Sequence, residues 1–403
     1  MRAAPRRAAA LLAAALFGCS RGEEAAPAAG RTPAPLPDET SLLDAPLERP
    51  QRGDTASALV LYRQARAALD RDELDGAQSL FEAALQADPA LNLARNDLGF
   101  LLLERAGRGA FGEALRHFRL ARLAAADDAL AACGEGLARR ELGDLERARP
   151  LLEFALRDLA VSAEPGRGTL ARAALASIAA AQGDVEGALA GYADALERAP
   201  LPPGTAAHFR LARAELLQER GALEAAASEV EQALQLAPEE PRGHLLMAQL
   251  AARRGDGERA AVERRRHELL RALQDHTALR FRRDAARTLE LRRALVAEWP
   301  DHLGGVVALA EELLAQRQHA DALQVVAAAR ATRGALPLLI VLAARAHAGA
   351  GDLAAARQVF AALPPCGPAE RLAAVRLVLA QWQRDQGKSA AELARELAAW
   401  SEP

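Results

Sequence analysis

Aromatic residues are scarce in this chain, with nine Phe, three Trp and two Tyr among 403 residues. Runs of β-branched or aromatic residues, the material of strands, are correspondingly few, which argues against a sheet. Beyond the N-terminus no apolar run is long enough to cross a bilayer. Neither sign of charge is in excess. The 51 Lys and Arg stand against 54 Asp and Glu, for a formal charge of −3, whereas a general nucleic-acid binder needs a strong basic excess. Motifs of chemistry are missing as well. There is no HExxH, CxxC or CxxCH pattern and no G-x-S-x-G elbow. The eight His are scattered, and His267 and His276 do not share a helix face. Gly387-Lys388-Ser389 is only superficially a P-loop: Trp382 stands where the first glycine belongs, and no strand precedes it. No catalytic residue, metal ligand or cofactor is expected.

What the chain has is Ala and Leu, interspersed with Arg and Glu, a mixture that favours helix almost everywhere. Its length is ample for a large core or several domains. Residues 1–18 have the layout of an export signal. Arg2, Arg6 and Arg7 form a basic start, and an apolar stretch follows from Ala8 to Phe17. That stretch ends at Leu16-Phe17-Gly18-Cys19, which resembles the bacterial lipobox, with Phe17 as a departure at a site that usually holds a small or β-branched residue. The resemblance implies that Cys19 is diacylated and becomes the mature N-terminus. Ser20 follows where an Asp would retain the protein at the inner membrane, so the implied destination is the outer membrane, facing the periplasm. Two or three acyl chains anchor stably where one does not. Residues 19–55 are rich in Pro and Ala and show no helical or strand period. They read as a disordered tether that holds the folded part about 30–35 Å from the anchor.

From there one unit recurs. In GDVEGALAGYADALERAP (residues 183–200), a Gly-Asp pair precedes Ala188, Tyr192, Ala195 and Pro200. The same offsets give Ala77, Phe81 and Ala84; Ala114, Phe118 and Ala121; Ala148, Leu152 and Ala155; and Ala226, Val230 and Ala233. They return at Ala322, Val326 and Ala329, and at Ala356, Phe360 and Leu363. A weaker copy keeps Ala260 but has Arg264 and His267 in the apolar places. Small residues allow two helices to cross closely, and the larger one fills the hollow between them. Gly183 permits a positive φ at the end of one helix, and Asp184 can cap the next. A single unit leaves an apolar face wet, so neighbours must stack.

The pattern resembles the tetratricopeptide repeat, a helix–turn–helix of 34 residues with a W-x₂-L-G-x₂-Y…A-x₃-F…P signature. Leu98-Gly99 sits where that unit pairs a large residue with a small one. The resemblance implies an all-α fold, an α-solenoid of tandem helix–turn–helix repeats over residues 56–368, with eight recognisable copies. Residues 268–301 are either a degenerate ninth copy or one long helix followed by Trp299-Pro300-Asp301. Residues 369–403 read as capping helices, the last opened by a Ser389–Glu392 capping box. Cys133 and Cys366 fall in distant units, so both are expected as free thiols.

In that family the first helices of successive units line a concave groove. Carried over, this places Tyr62, Arg66, Asn96, Phe100, Ser177, His208, Leu211, Glu215, Arg242, Gln249 and Arg345 toward a protein or peptide partner. Asp97 stands where a carboxylate-clamping Asn would be, so that specificity is not expected. Tyr62, Asn96 and Phe100 could hold a peptide by stacking and amide bonds. A second candidate surface is the tract 253–293, with thirteen Arg against seven acidic residues. It is densest at Arg264, Arg265 and Arg266 and at Arg280, Arg282 and Arg283, and would suit an anionic partner. The reading is a lipid-anchored scaffold for protein–protein interaction in the bacterial cell envelope, not an enzyme, assisting assembly of an envelope complex, without nucleic acid. The alternatives are a helical subunit of an envelope enzyme and a soluble cytoplasmic interaction protein.

Overall fold

A computed structural model of the full chain describes residues 46–104, 108–158, 166–198, 201–278 and 284–401. The signal segment, Cys19, most of the tether, Pro200, Arg280, Arg282 and Arg283 lie outside the described residues. Among the described residues there are nineteen helices and no strand. They form two compact units, residues 1–238 and 239–403. No described helix is long and apolar enough to cross a membrane.

The first unit holds α1 (Thr55–Asp70), α2 (Leu74–Ala87), α3 (Asn92–Glu104), α4 (Arg108–Ala124), α5 (Ala129–Glu141), α6 (Leu145–Arg157), α7 (Arg167–Ala181), α8 (Val185–Glu197), α9 (Pro203–Glu219) and α10 (Leu223–Leu236). Each odd helix packs on the even helix that follows it, and each pair packs on the next. This is the tandem helix–turn–helix plan of an all-α solenoid. The recurring triads explain the pairing. Ala77, Phe81 and Ala84 are fully buried, as are Ala114, Phe118 and Ala121 and their counterparts on α6. Phe118 shows why the units need small residues. A Cβ added at Gly99 on α3 would stand 2.6 Å from its ring, and one added at Gly134 on α5 would overlap it. The glycines of two successive first helices thus make the slot for one aromatic ring, whose burial contributes about 2–3 kcal/mol.

The turns repeat too. Gly183 adopts φ +81°, and Asp184 accepts a hydrogen bond from the Gly187 amide at 2.9 Å. Gly143, Gly255 and Gly351 are also left-handed, and Asp144, Asp256 and Asp352 cap the helices that follow them. In two turns Asp72 and Arg317 take the left-handed place, at φ 64° and 58°. A residue with a Cβ is strained there by about 1–2 kcal/mol.

The second unit holds α11 (Pro241–Arg253), α12 (Gly257–Ala278), α13 (Ala285–Glu298), α14 (Leu303–Ala315), α15 (His319–Arg333), α16 (Pro337–Gly349), α17 (Leu353–Phe360), α18 (Pro368–Gln386) and α19 (Ala390–Ser401). Residues 268–301 are not one long helix. The second half of α12 and part of α13 share a small core of Leu269, Leu270, Leu291 and Leu295. The last triad departs from expectation: α17 stops at Phe360, and Leu363 lies beyond it, half-buried. Pro364 and Pro365 explain the stop, because a residue before proline is driven out of the helical region. At the end of the chain Gly387 breaks α18 with φ +63°. The capping box forms as read. The Ser389 amide donates to Glu392 Oε2 at 2.9 Å, and the Glu392 amide donates to Ser389 Oγ at 3.2 Å. These bonds hold the Glu392 carboxyl down at about 2.

Candidate interaction surfaces

The first helices carry the polar residues of interest, and most of them are engaged with the next first helix. In the first unit the centre is Asp97 on α3. Tyr62 on α1 donates its hydroxyl to Asp97 Oδ2 at 2.9 Å, and Arg66 reaches the same oxygen at 3.1 Å. Arg167, at the start of α7, donates to Asp97 Oδ1 at 3.1 Å. One carboxylate therefore ties three first helices. Burial and the Asp97 charge push the Tyr62 phenol up to about 12. Farther along, Arg140 donates to Ser177 Oγ at 3.1 Å. In the second unit Arg345 on α16 donates to Glu311 on α14 at 2.9 Å and to Gln381 on α18 at 3.3 Å. Partners in most of these bonds lie 31 to 37 residues apart, about one unit of the repeat, and Arg167 and Asp97 lie 70 apart, about two. The result, within each unit, is a polar ladder along the first helices.

This corrects several expectations for the groove. Phe100 is buried, edge-on to Phe118 at 5.0 Å and covered by the Arg167 guanidinium at 4.5 Å. It has no face left for a peptide. Asn96 is buried and donates to Asp128 Oδ2 at 3.0 Å. Leu211 is fully buried in the core. A first helix is covered by its own partner and by the neighbouring pairs, so few of its positions stay open. Tyr62, Ser177, His208, Glu215, Arg242 and Arg345 are half-buried, while Gln249 is exposed and Arg66 keeps about half of its side chain in solvent. At the end of α3 the half-buried Glu104 is pushed up to about 8 by burial, with Arg167 opposing.

The basic tract also divides. Arg264 and Arg265 are exposed on α12, but Arg266 is turned inward. It pairs with Glu263 at 3.1 Å and lies 4.4 Å above the Trp299 ring. Successive residues on a helix are about 100° apart, so three consecutive arginines cannot share one face. The other arginines of the tract are largely paired within it or nearby, as in Arg271–Asp275, Arg287–Glu290 and Arg293–Asp321. His267 and His276 contact backbone carbonyls of Pro241 and Asp284 at 2.8 and 3.0 Å. No metal-holding group of His, Cys, Asp and Glu occurs among the described residues. Cys133 is buried and Cys366 exposed, and neither is in a disulfide among the described residues.

No family model matches this chain, and no curated protein matches it. Solved structures do. The Pseudomonas aeruginosa pilF structure is 18% identical, covering 59% of this chain and 97% of its own, with a TM-score of 0.42. PilW, described as a widely conserved type IV pilus biogenesis factor, is 17% identical over 61% of this chain and 95% of its own, at 0.44. TTC0263, a thermophilic TPR protein in Thermus thermophilus, is 22% identical over 48% and 97%, at 0.36. The fold assignment rests on the helix pairs themselves.

Two clusters escaped the sequence reading. On α5, Glu135 is buried between Arg122 and Arg139, at 2.8 and 2.9 Å, and Arg139 also reaches Asp144 at 2.6 Å. In the second unit the Asp385 carboxylate is wholly buried, with His319, Gln381 and Arg384 at 2.7, 2.6 and 2.9 Å. Burial alone would raise its pKa, but these bonds hold it below the usual carboxylate range. The i to i+4 spacing of Glu135 and Arg139 was visible in the sequence. The His319–Asp385 pair, 66 residues apart, had no local signal.

Proposed function

We propose that this chain is a non-enzymatic tetratricopeptide-type scaffold for protein–protein interaction, lipid-anchored through Cys19 in the bacterial envelope. The observation that carries the scaffold reading is the polar ladder. The inner-helix side chains do not converge on a reactive cavity. They hold successive helices in register and so present a preformed surface, which lowers the ordering cost of binding. On this reading the partner docks on the exposed pair Arg264 and Arg265 of the second unit, where an anionic protein surface would fit, or, in the first unit, on the solvent-facing half of Arg66. The envelope part of the reading is supported by the order of basic start, apolar stretch and Cys19. The periplasmic face of the outer membrane, and help in assembling an envelope complex, belong to the same proposal.

The test is in-cell crosslinking followed by mass spectrometry, on wild type and on the double variant Arg264→Glu, Arg265→Glu. A defined partner whose yield falls in the variant supports docking on α12. A partner retained in full moves the docking site to the ladder near Arg66. No enriched partner in either strain removes the scaffold reading. Mass analysis of the native N-terminus tests the anchor separately, and an intact Met1 would exclude it.

A further inference from the structure

The corner between α13 and α14 in the second unit turns on one histidine. Trp299 ends α13, and the His302 amide donates to the Trp299 carbonyl at 3.0 Å to close the turn. His302 then caps α14: its ring nitrogen Nδ1 accepts from the Gly305 amide at 3.0 Å. A backbone N–H can only donate, so Nδ1 carries no proton and the ring is neutral in this arrangement. The His302 residue is buried, and its ring stacks on the Trp299 indole at 4.2 Å and 16°. The Arg266 guanidinium of α12 lies 4.4 Å from the same indole centroid, and His244 of α11 meets that indole edge-on at 5.4 Å. Side chains of α11 and α12 thus meet both sides of the corner at Trp299.

A proton on Nδ1 would turn that acceptor into a donor aimed at another donor, so the cap and the charged ring exclude each other. The surroundings also oppose the charge. His244, Arg266 and, at the end of α15, Arg333 face His302 with positive or protonatable groups, and the ring sits at the positive end of α14. Glu263 on α12 is engaged elsewhere, 2.6 Å from His244 Nδ1 and 3.1 Å from Arg266. The opposing charge is Glu239, just ahead of α11, whose Oε1 lies 3.7 Å from His302 Nε2 and whose side chain is half in solvent. Burial first, with the positive neighbours, holds the His302 ring below the ordinary histidine value of 6.5, and Glu239 works against them. The unfolded chain therefore takes up this proton first, and stability falls as the pH drops below 6.5.

We propose that His302 is a proton-operated switch at the α13–α14 corner: neutral, it caps α14 beside Trp299; protonated, it releases the Gly305 amide and the first turn of α14 loosens. That turn carries Val306, which belongs to the buried set around Leu309. The loosening therefore reaches the core that α14 shares with α15 and α16. The inference is independent of the scaffold reading, since it concerns the conformation of the chain itself.

The experiment is an NMR pH titration of the full chain. Gly304-Gly305 is the only Gly-Gly pair in the sequence. Labelling with glycine that carries ¹⁵N and a ¹³C carbonyl, and detecting bonded carbonyl–nitrogen pairs, therefore isolates the Gly305 amide. Between about pH 8 and 4 its signal should move in a step whose midpoint lies below 6.5. Hydrogen-exchange protection at the start of α14, corrected for the intrinsic pH dependence of exchange, should fall about fivefold over the same step, the worth of one side-chain cap. His302→Asn keeps an acceptor for the Gly305 amide but cannot titrate, so the step should vanish and protection should stay high. His302→Ala has no acceptor and should show the low protection at every pH. An unmoved Gly305 signal in wild type, or the same step retained in His302→Asn, overturns the proposal. So does wild-type protection in His302→Ala at the alkaline end.

Discussion

At the scale of single residues, two glycines on neighbouring helices should respond to alanine in opposite directions. Gly134 on α5 lies against the Phe118 ring, while a Cβ at Gly112 on α4 would meet nothing within 4 Å. Gly134→Ala forces the ring or the helix to move and should cost about 2–3 kcal/mol. Gly112→Ala adds helix propensity at an exposed site and should gain about 0.5–1 kcal/mol. Urea unfolding of the two variants measures both. Titratable residues nearby, on α3 and α4, predict a pH response. Burial, with Arg95 and Arg116 nearby, holds His117 at about 4. Between pH 6.5 and 4 the unfolded chain therefore binds more protons at this site. Stability falls as pH drops through that window, by on the order of 3 kcal/mol. Glu104, raised to about 8, works the other way. From pH 4.5 to 8 the folded state holds the extra proton, so stability falls as pH rises. Glu104→Gln should accordingly stabilise at pH 7 by on the order of 3 kcal/mol and have no effect below pH 4.5. Urea midpoints at pH 4, 5.5 and 7 decide it, and a pH-independent effect of the substitution would contradict the assignment.

At the scale of helices and their contacts, Asp97 is the joint that should matter most in the first unit. Asp97→Asn keeps the shape but removes the charge that Arg66 and Arg167 share, and Arg167 is mostly buried. Because Arg66 is half in solvent, its share is small. The expected loss is about 1–3 kcal/mol, read by urea unfolding, with increased hydrogen exchange at the start of α7 as the specific sign. The contrast between what the sequence revealed and what it hid lies at this level. The triads, the Gly–Asp turns and the Ser389 box were legible because each is local or recurs at a fixed period. Phe100 and Leu211 were misplaced because a family groove position says which way a residue faces in a generic pair. It does not say whether the next pair closes over it. The Arg264–Arg266 run was read as a block of charge, although helical geometry alone sends the third residue elsewhere. Asp97 had been noted only as a departure from a clamp. Its partners at Tyr62 and Arg167 stand one and two units away, where no local pattern connects them.

At the scale of the whole molecule, the two units differ in how their cores are connected. In the first, a continuous set of buried residues runs from Ala58 to Leu216. In the second, described buried residues form separate sets, among them one around Leu309 and Leu313, another around Phe360 and Trp382, and a small set shared by α12 and α13. Stacked repeats gain stability from each unit and from its nearest neighbours, so cooperativity extends only as far as the core is continuous. A cavity in the first unit should therefore be felt throughout that unit, and one in the second should stay local. Leu137 and Leu313 are both fully buried and suit the comparison, since truncation to alanine at such sites costs about 2–5 kcal/mol. Hydrogen exchange with mass spectrometry on Leu137→Ala should show lost protection across α1 to α9, the helices that share the continuous core, and unchanged protection in α14 to α19. Leu313→Ala should loosen α14 to α16 together with the part of α13 that carries Leu289, and leave the first unit as in wild type. Uniform loss over both units in either variant would mean that the chain unfolds as one cooperative body. Each disconnected core would then derive its stability from its neighbours rather than from its own burial.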